Sequence, residues 1–177
     1  EHHNLIHAIF AQAVREGVIK SNPAELATPP TNKKKEVQFY EIETVHQIMK
    51  CLSQESLKWQ AIVQLMIASG ARRGEIMGLK WTNIDFKKNT IKVCDNLQYT
   101  RERGTYLDTT KTDEPRFLTI DKSVMQLLSR HRAEQALIRF RMGPDWNPEG
   151  YCFTQANGNP MNPNSITDFL RKFSKKY

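Results

Sequence analysis

Two placements in this 177-residue chain put a reactive side chain where it could act on a ligand. The first is Gly70-Ala71-Arg72-Arg73-Gly74-Glu75, which follows the apolar run from Trp59 to Ser69. An apolar helix that stops at Gly70 and restarts near Gly74 holds whatever lies between them in a fixed place. A guanidinium held there is always charged and forked, and it suits a phosphate gripped through two parallel hydrogen bonds. The second is Lys111 in Thr109-Thr110-Lys111-Thr112, just before an expected hairpin turn. A lysine that reaches a reacting phosphate from such a tip can donate a proton to a leaving alkoxide. Each has a plain alternative: two solvated arginines on a surface helix corner, and a solvated lysine on a loop.

Other chemistries find no pattern. The chain has no phosphate-binding glycine loop, GxSxG elbow, HExxH or paired-cysteine motif, so no cofactor or metal is expected. Cys51, Cys94 and Cys152 are odd in number and far apart, which fits buried thiols in a reducing cytosol. His3 and His7 lie one helical turn apart without a third ligand nearby. No apolar run reaches membrane-spanning length.

Net charge is +7 and unevenly spread. Residues 1–30 carry −1 (Arg15 and Lys20 against Glu1, Glu16 and Glu25), leaving +8 for the rest. A basic body favours a polyanionic partner, nucleic acid ahead of a membrane surface, although modest basicity is common among soluble proteins.

These residues need elements to position them. Residues 3–16 read as a helix with Ile6, Ile9, Phe10 and Ala13 on one face, stopped by Gly17. The pattern carries no cap at its start and reads as cut at the front. Asn22-Pro23 starts a turn, and Pro29-Pro30-Thr31-Asn32-Lys33-Lys34-Lys35 reads as a stiff basic linker. Lys33, Lys34 and Lys35 fit either DNA-backbone contacts or a solvated linker. Val45, Ile48, Met49 and Leu52 follow helical spacing, and Trp59, Ile62, Val63, Met66 and Ile67 form the stripe of a central helix. Ile76, Met77 and Leu79 continue a short helix after the arginine corner. Extended pieces follow at Thr90 to Cys94, Leu97 to Arg101, Tyr106 to Thr110 and Arg116 to Ile120, with turns at Gly104 and Thr112-Asp113-Glu114-Pro115. Asp121 caps a long helix carrying Val124, Leu127, Leu128 and His131, with His131 read as a packed residue and Gly143-Pro144 as the stop. Asn162-Pro163 opens a last helix with Ile166, Phe169, Leu170 and Phe173 inward. Helices around a small three-stranded antiparallel sheet make the fold class α+β.

Set in order along the chain, these segments resemble the tyrosine recombinases, closest to the branch of phage and conjugative-element integrases. Residues Ala68 to Asp85 look like that family's first-arginine box. Thr109 to Thr112 with Arg116-Phe117-Leu118-Thr119-Ile120 resembles its hairpin-lysine segment. Ala11 to Gly17 with Asn22-Pro23-Ala24 resembles the end of its helical core-binding domain. The resemblance implies the end of a core-binding domain at 1–28, a basic linker at 29–36, and the first part of a catalytic domain at 37–177.

The resemblance also implies roles. Arg72, not Arg73, fits the family arginine in the pattern Gly-x-Arg-x-Gly/Ser-Glu, binding the nonbridging oxygens of the scissile phosphate. Glu75 fits the acidic position that supports the network, with a surface carboxylate or a partner for Lys80 as its alternative. Lys111 fits the general acid for the departing 5′ oxygen. Arg73 matches no catalytic position and is expected to be solvated or to touch the DNA backbone. The family breaks and rejoins DNA through a 3′-phosphotyrosyl intermediate, without metal or nucleotide. Implied partners are double-stranded DNA and other recombinase protomers. No His-x-x-Arg box occurs, and Tyr177 falls too early for the nucleophile, so the chain reads as a fragment that binds DNA weakly and cuts nothing. A non-enzymatic basic DNA-binding module, or a protein-interaction domain of incidental charge, are the alternative classes.

Overall fold

The computed structural model describes residues 2–28, 39–109 and 114–177. The chain divides into two compact units, Glu1–Tyr40 and Glu41–Tyr177. The expected linker at 29–36 lies outside the described residues.

The first unit holds helix α1 (His2–Arg15), which turns off at Gly17 with φ of 74°. Asn22 then fixes the following loop. Its side-chain oxygen accepts the Ala24 N–H at 2.9 Å and its amide donates to the His7 carbonyl at 3.1 Å, burying Asn22 and Ala24. The expected apolar face is formed, yet Ile6 and Ile9 are exposed and no residue of α1 is buried among the described residues.

In the second unit, helices α2 (Ile42–Leu52), α3 (Leu57–Ser69) and the five-residue α4 (Arg73–Met77) lead into the strands. These are β1 (Ile84–Asp85), β2 (Thr90–Val93), β3 (Asp95–Thr100), β4 (Gly104–Thr109) and β5 (Arg116–Thr119). Helices α5 (Lys122–Met142) and α6 (Ser165–Lys176) follow. Helix α3 buries Ala61, Ile62 and Leu65 against Val124, Met125, Leu127 and Leu128 of α5, with Ile91 and Val93 of β2 and Tyr151-Cys152-Phe153 completing the core. The Asp121 carboxylate accepts the Ser123 N–H at 2.7 Å and caps α5. Helix α5 ends at Gly143, whose φ is 58°.

The three-stranded antiparallel sheet is present, but its members differ from the extended pieces read in the sequence. Its order is β1-β2-β5, with Ile91 opposite Ile84 on one side and Leu118 on the other. Two-residue β1 is too short to show a period. Strands β3 and β4 form a separate ribbon, Leu97 facing Leu107, closed at Gly104 with φ of 68°. So β4 and β5 belong to different sheets. Lys111 and residues 112–113 of the expected turn at 112–115 lie outside the described residues.

A polar seam ties α5 to the 150s segment. The Trp81 indole N–H donates to Gln135 Oε1 at 2.7 Å, and the Gln135 amide reaches the Cys152 carbonyl and Thr154 Oγ1, both at 3.0 Å. His131 Nε2 lies 2.8 Å from the same Cys152 carbonyl, which makes it the protonated ring nitrogen. His131 is buried, as expected of a packed residue. Burial, helped by Lys58, pushes its pKa down against the opposing Cys152 bond. Among the described residues, no helix is long and apolar enough to cross a membrane.

Candidate active site

The arginine corner begins where α3 ends. Gly70 takes the left-handed conformation (φ 60°, ψ 14°) and returns its N–H to the Met66 carbonyl, a geometry that glycine adopts without a Cβ penalty. Ala71, Ile76 and Met77 are buried, so the chain on both sides of Arg72 is anchored in the core. Gly74 lets α4 lie directly on β3: a Cβ there would sit 2.6 Å from the Leu97 carbonyl oxygen and against the Asn96 side chain. Arg72 itself is extended (φ −69°, ψ 150°), and its side chain is 63% exposed.

Glu75 lies beneath it with only 1% of its side chain exposed. Its Oε2 accepts the Arg72 backbone N–H at 2.7 Å, the reach-back of a third-position glutamate to the residue before its helix. Its Oε1 accepts Arg72 Nη1 at 3.0 Å. A third donor comes from the start of β5. Arg116 places Nη1 3.0 Å from Oε1 and Nη2 2.6 Å from Oε2, a fork-to-fork pair. Burial works to raise the Glu75 pKa, but the Arg116 fork and the two Arg72 bonds outweigh it and pull the carboxyl down to about 2. Glu75 is therefore a buried anion, neither a surface carboxylate nor a partner of Lys80, whose ammonium sits 4.9 Å over the Tyr151 ring.

Residues 38–177 match the phage integrase family. The chain belongs to that family. It is 28% identical to a XerC-like tyrosine recombinase of Caldanaerobacter subterraneus subsp. tengcongensis, over 96% of this chain and 47% of that protein. It is 25% identical to the ICEBs1 integrase of Bacillus subtilis, over 94% of this chain and 45% of that one. Among solved structures, the Tn1549 transposon integrase in complex with a circular intermediate DNA superposes with a TM-score of 0.77 at 20% identity, covering 97% of this chain and 55% of that one. A lambda integrase dimer bound to a COC′ core site gives 0.62 at 14% identity, covering 98% and 55%. The chain spans about half the length of these relatives. The fold is that of the tyrosine recombinases.

Within this integrase-family unit the remaining sequence candidates separate. Arg73 is exposed and donates Nη1 to Thr167 Oγ1 at 3.3 Å, linking the corner to α6. Lys111, Lys33, Lys34 and Lys35 lie outside the described residues. Tyr177 packs its ring at a 53° tilt against Phe173 and directs its hydroxyl to Glu55 at 3.3 Å and Gln54 at 3.4 Å, in the α2–α3 turn. Arg116 is the residue that sequence reasoning missed. It was read as a strand residue, and its one signal was a cation opening the otherwise uncharged run 116–120.

Proposed function

We propose that this chain supplies the scissile-phosphate-gripping part of a site-specific DNA recombinase, one that breaks and rejoins strands through a 3′-phosphotyrosyl intermediate. The observation that carries it is the corner itself: an exposed arginine whose backbone and one terminal nitrogen are anchored on a buried carboxylate, in a chain of the integrase family. The rest of the Arg72 fork faces outward, free to take two phosphate oxygens and to stabilise the charge that builds on them in a pentacoordinate state. Lys111 is the proton donor to the departing 5′ oxygen, and Glu75 holds the network without attacking. Double-stranded DNA and further protomers are the partners, in a cytoplasmic setting. Arg73 and Lys33 to Lys35 contribute contacts to the DNA backbone. The 177 residues by themselves bind DNA and do not cleave it, since neither a His-x-x-Arg box nor a suitably placed tyrosine is among them.

The test is duplex binding as a function of salt. Each neutralised phosphate adds about −0.9 to the log–log slope, and Arg72→Ala should make that slope shallower by about 0.9. A flat response in the unaltered chain would instead mark a protein-interaction domain. A covalent adduct on a nicked suicide duplex would overturn the claim that these residues do not cut.

A further inference from the structure

We infer that Arg116 is a positioning residue, which clamps Glu75 from a separate strand so that Glu75 can hold Arg72 in its phosphate-gripping pose. The inference rests on the reading of Arg72 given above. Each carboxylate oxygen of Glu75 accepts one bond from each arginine: Oε1 from the Nη1 of both, Oε2 from Arg116 Nη2 and the Arg72 backbone N–H. The two arginines nonetheless do different things. Arg116 commits one N–H of each terminal nitrogen to the carboxylate, so its fork faces Glu75, and its side chain is 39% exposed against 63% for Arg72. Arg72 commits one terminal nitrogen, leaving the rest of its side chain to reach outward.

The need for an outside clamp follows from the local structure. Helix α4 is five residues long, and a lone turn fixes the three side-chain torsions of a glutamate poorly. Arg116 enters from β5, where it faces Val93 in the β2–β5 ladder, so its backbone is set independently of the corner. A planar fork meeting a carboxylate along two parallel bonds fixes that carboxylate's plane, which a point-charge ammonium cannot do. The orientation passed to Arg72 therefore originates 41 residues away, at Arg116.

Fluorescence anisotropy of the 177-residue chain with a labelled duplex, titrated at several salt concentrations, separates holding from gripping. Arg116→Gln should weaken binding at fixed low salt about tenfold, the scale of one charge-assisted bond, with the salt slope unchanged because no phosphate contact is removed. Arg72→Gln should weaken binding and also make the slope shallower by about 0.9. Added to Glu75→Gln, Arg116→Gln should cost nothing further, since it acts through Glu75. Arg116→Lys should restore part of the affinity. A shallower slope for Arg116→Gln, or a further tenfold loss in the Glu75→Gln background, would show direct contact with DNA and overturn the proposal. Circular dichroism checks folding. If Arg116→Gln does not fold, a folded Arg116→Lys decides: wild-type affinity overturns the clamp and weakened affinity supports it. If Arg72→Gln changes neither affinity nor slope, the reading of Arg72 fails instead, whatever Arg116 does.

Discussion

Replacing Glu75 with glutamine should cost most stability near neutrality and progressively less in acid. The carboxyl has an ordinary pKa of 4.5 and is held at about 2 in the folded chain. Between those values the unfolded chain binds more protons at this group than the folded chain does, so stability falls as pH falls. The contribution is fully present above about pH 4.5 and is lost as pH drops toward 2. A shift of this size, at 1.36 kcal/mol per pKa unit, corresponds to about 3 kcal/mol, and less than half of it survives at about pH 3. Urea unfolding followed by tryptophan fluorescence is the suitable assay, because Trp59, Trp81 and Trp146 all lie in the unit Glu41–Tyr177. Other groups that titrate in the same range, Asp85 and Asp121 among them, are common to both proteins and cancel in the difference. The gap between wild type and Glu75→Gln should therefore shrink by about 2 kcal/mol from pH 7 to pH 3. A gap that stays constant within about 0.5 kcal/mol, the ordinary scatter of such comparisons, would refute the assignment of Glu75 as a buried anion held by two arginines.

Two further substitutions probe the frame around the site. Gly74→Ala should destabilise the chain by about 1–3 kcal/mol, the usual cost of overpacking, because the Leu97 carbonyl is backbone and cannot swing aside as the Asn96 side chain can. Urea unfolding at pH 7 measures it, and a neutral result would mean that α4 does not press on β3. Trp81→Phe leaves Gln135 Oε1 without its indole donor in a site where Gln135 is 8% exposed. The expected loss is about 1–3 kcal/mol in thermal or urea melts followed by circular dichroism, and no loss would count against the seam as a structural tie.

The sequence announces features that depend on neighbours along the chain. The stop at Gly70, the cap at Asp121, the stop at Gly143 and the buried stripe of α5 each involve residues within a turn of one another, and each is found in place. In the stripe read for α3, Ile62 and Val63 are buried but Ile67 is exposed. Strand pairing is different. Four extended pieces can join in several ways, and what decided between them was β1, whose two residues, Ile84 and Asp85, carry no readable period. With β1 and β5 flanking β2, the β3–β4 ribbon forms a separate sheet.

The same distinction governs the site. Arg72 and Glu75 are three residues apart, and their bonds are local, so the corner could be read from spacing. Arg116 could not be read that way, because it arrives through the β2–β5 register. Its presence is still demanded by energetics. A carboxylate with 1% of its side chain exposed must have its charge and its remaining lone pairs met, and the two bonds from Arg72, one of them from its backbone, meet only part of them. The apolar neighbours Ile76 and Met77 make the burial of Glu75 legible, and burial in turn requires a second cation from elsewhere in the chain. What spacing could not supply was the address of that cation. The arginine that opens β5 meets the requirement because the strand pairing places its fork against both oxygens at once.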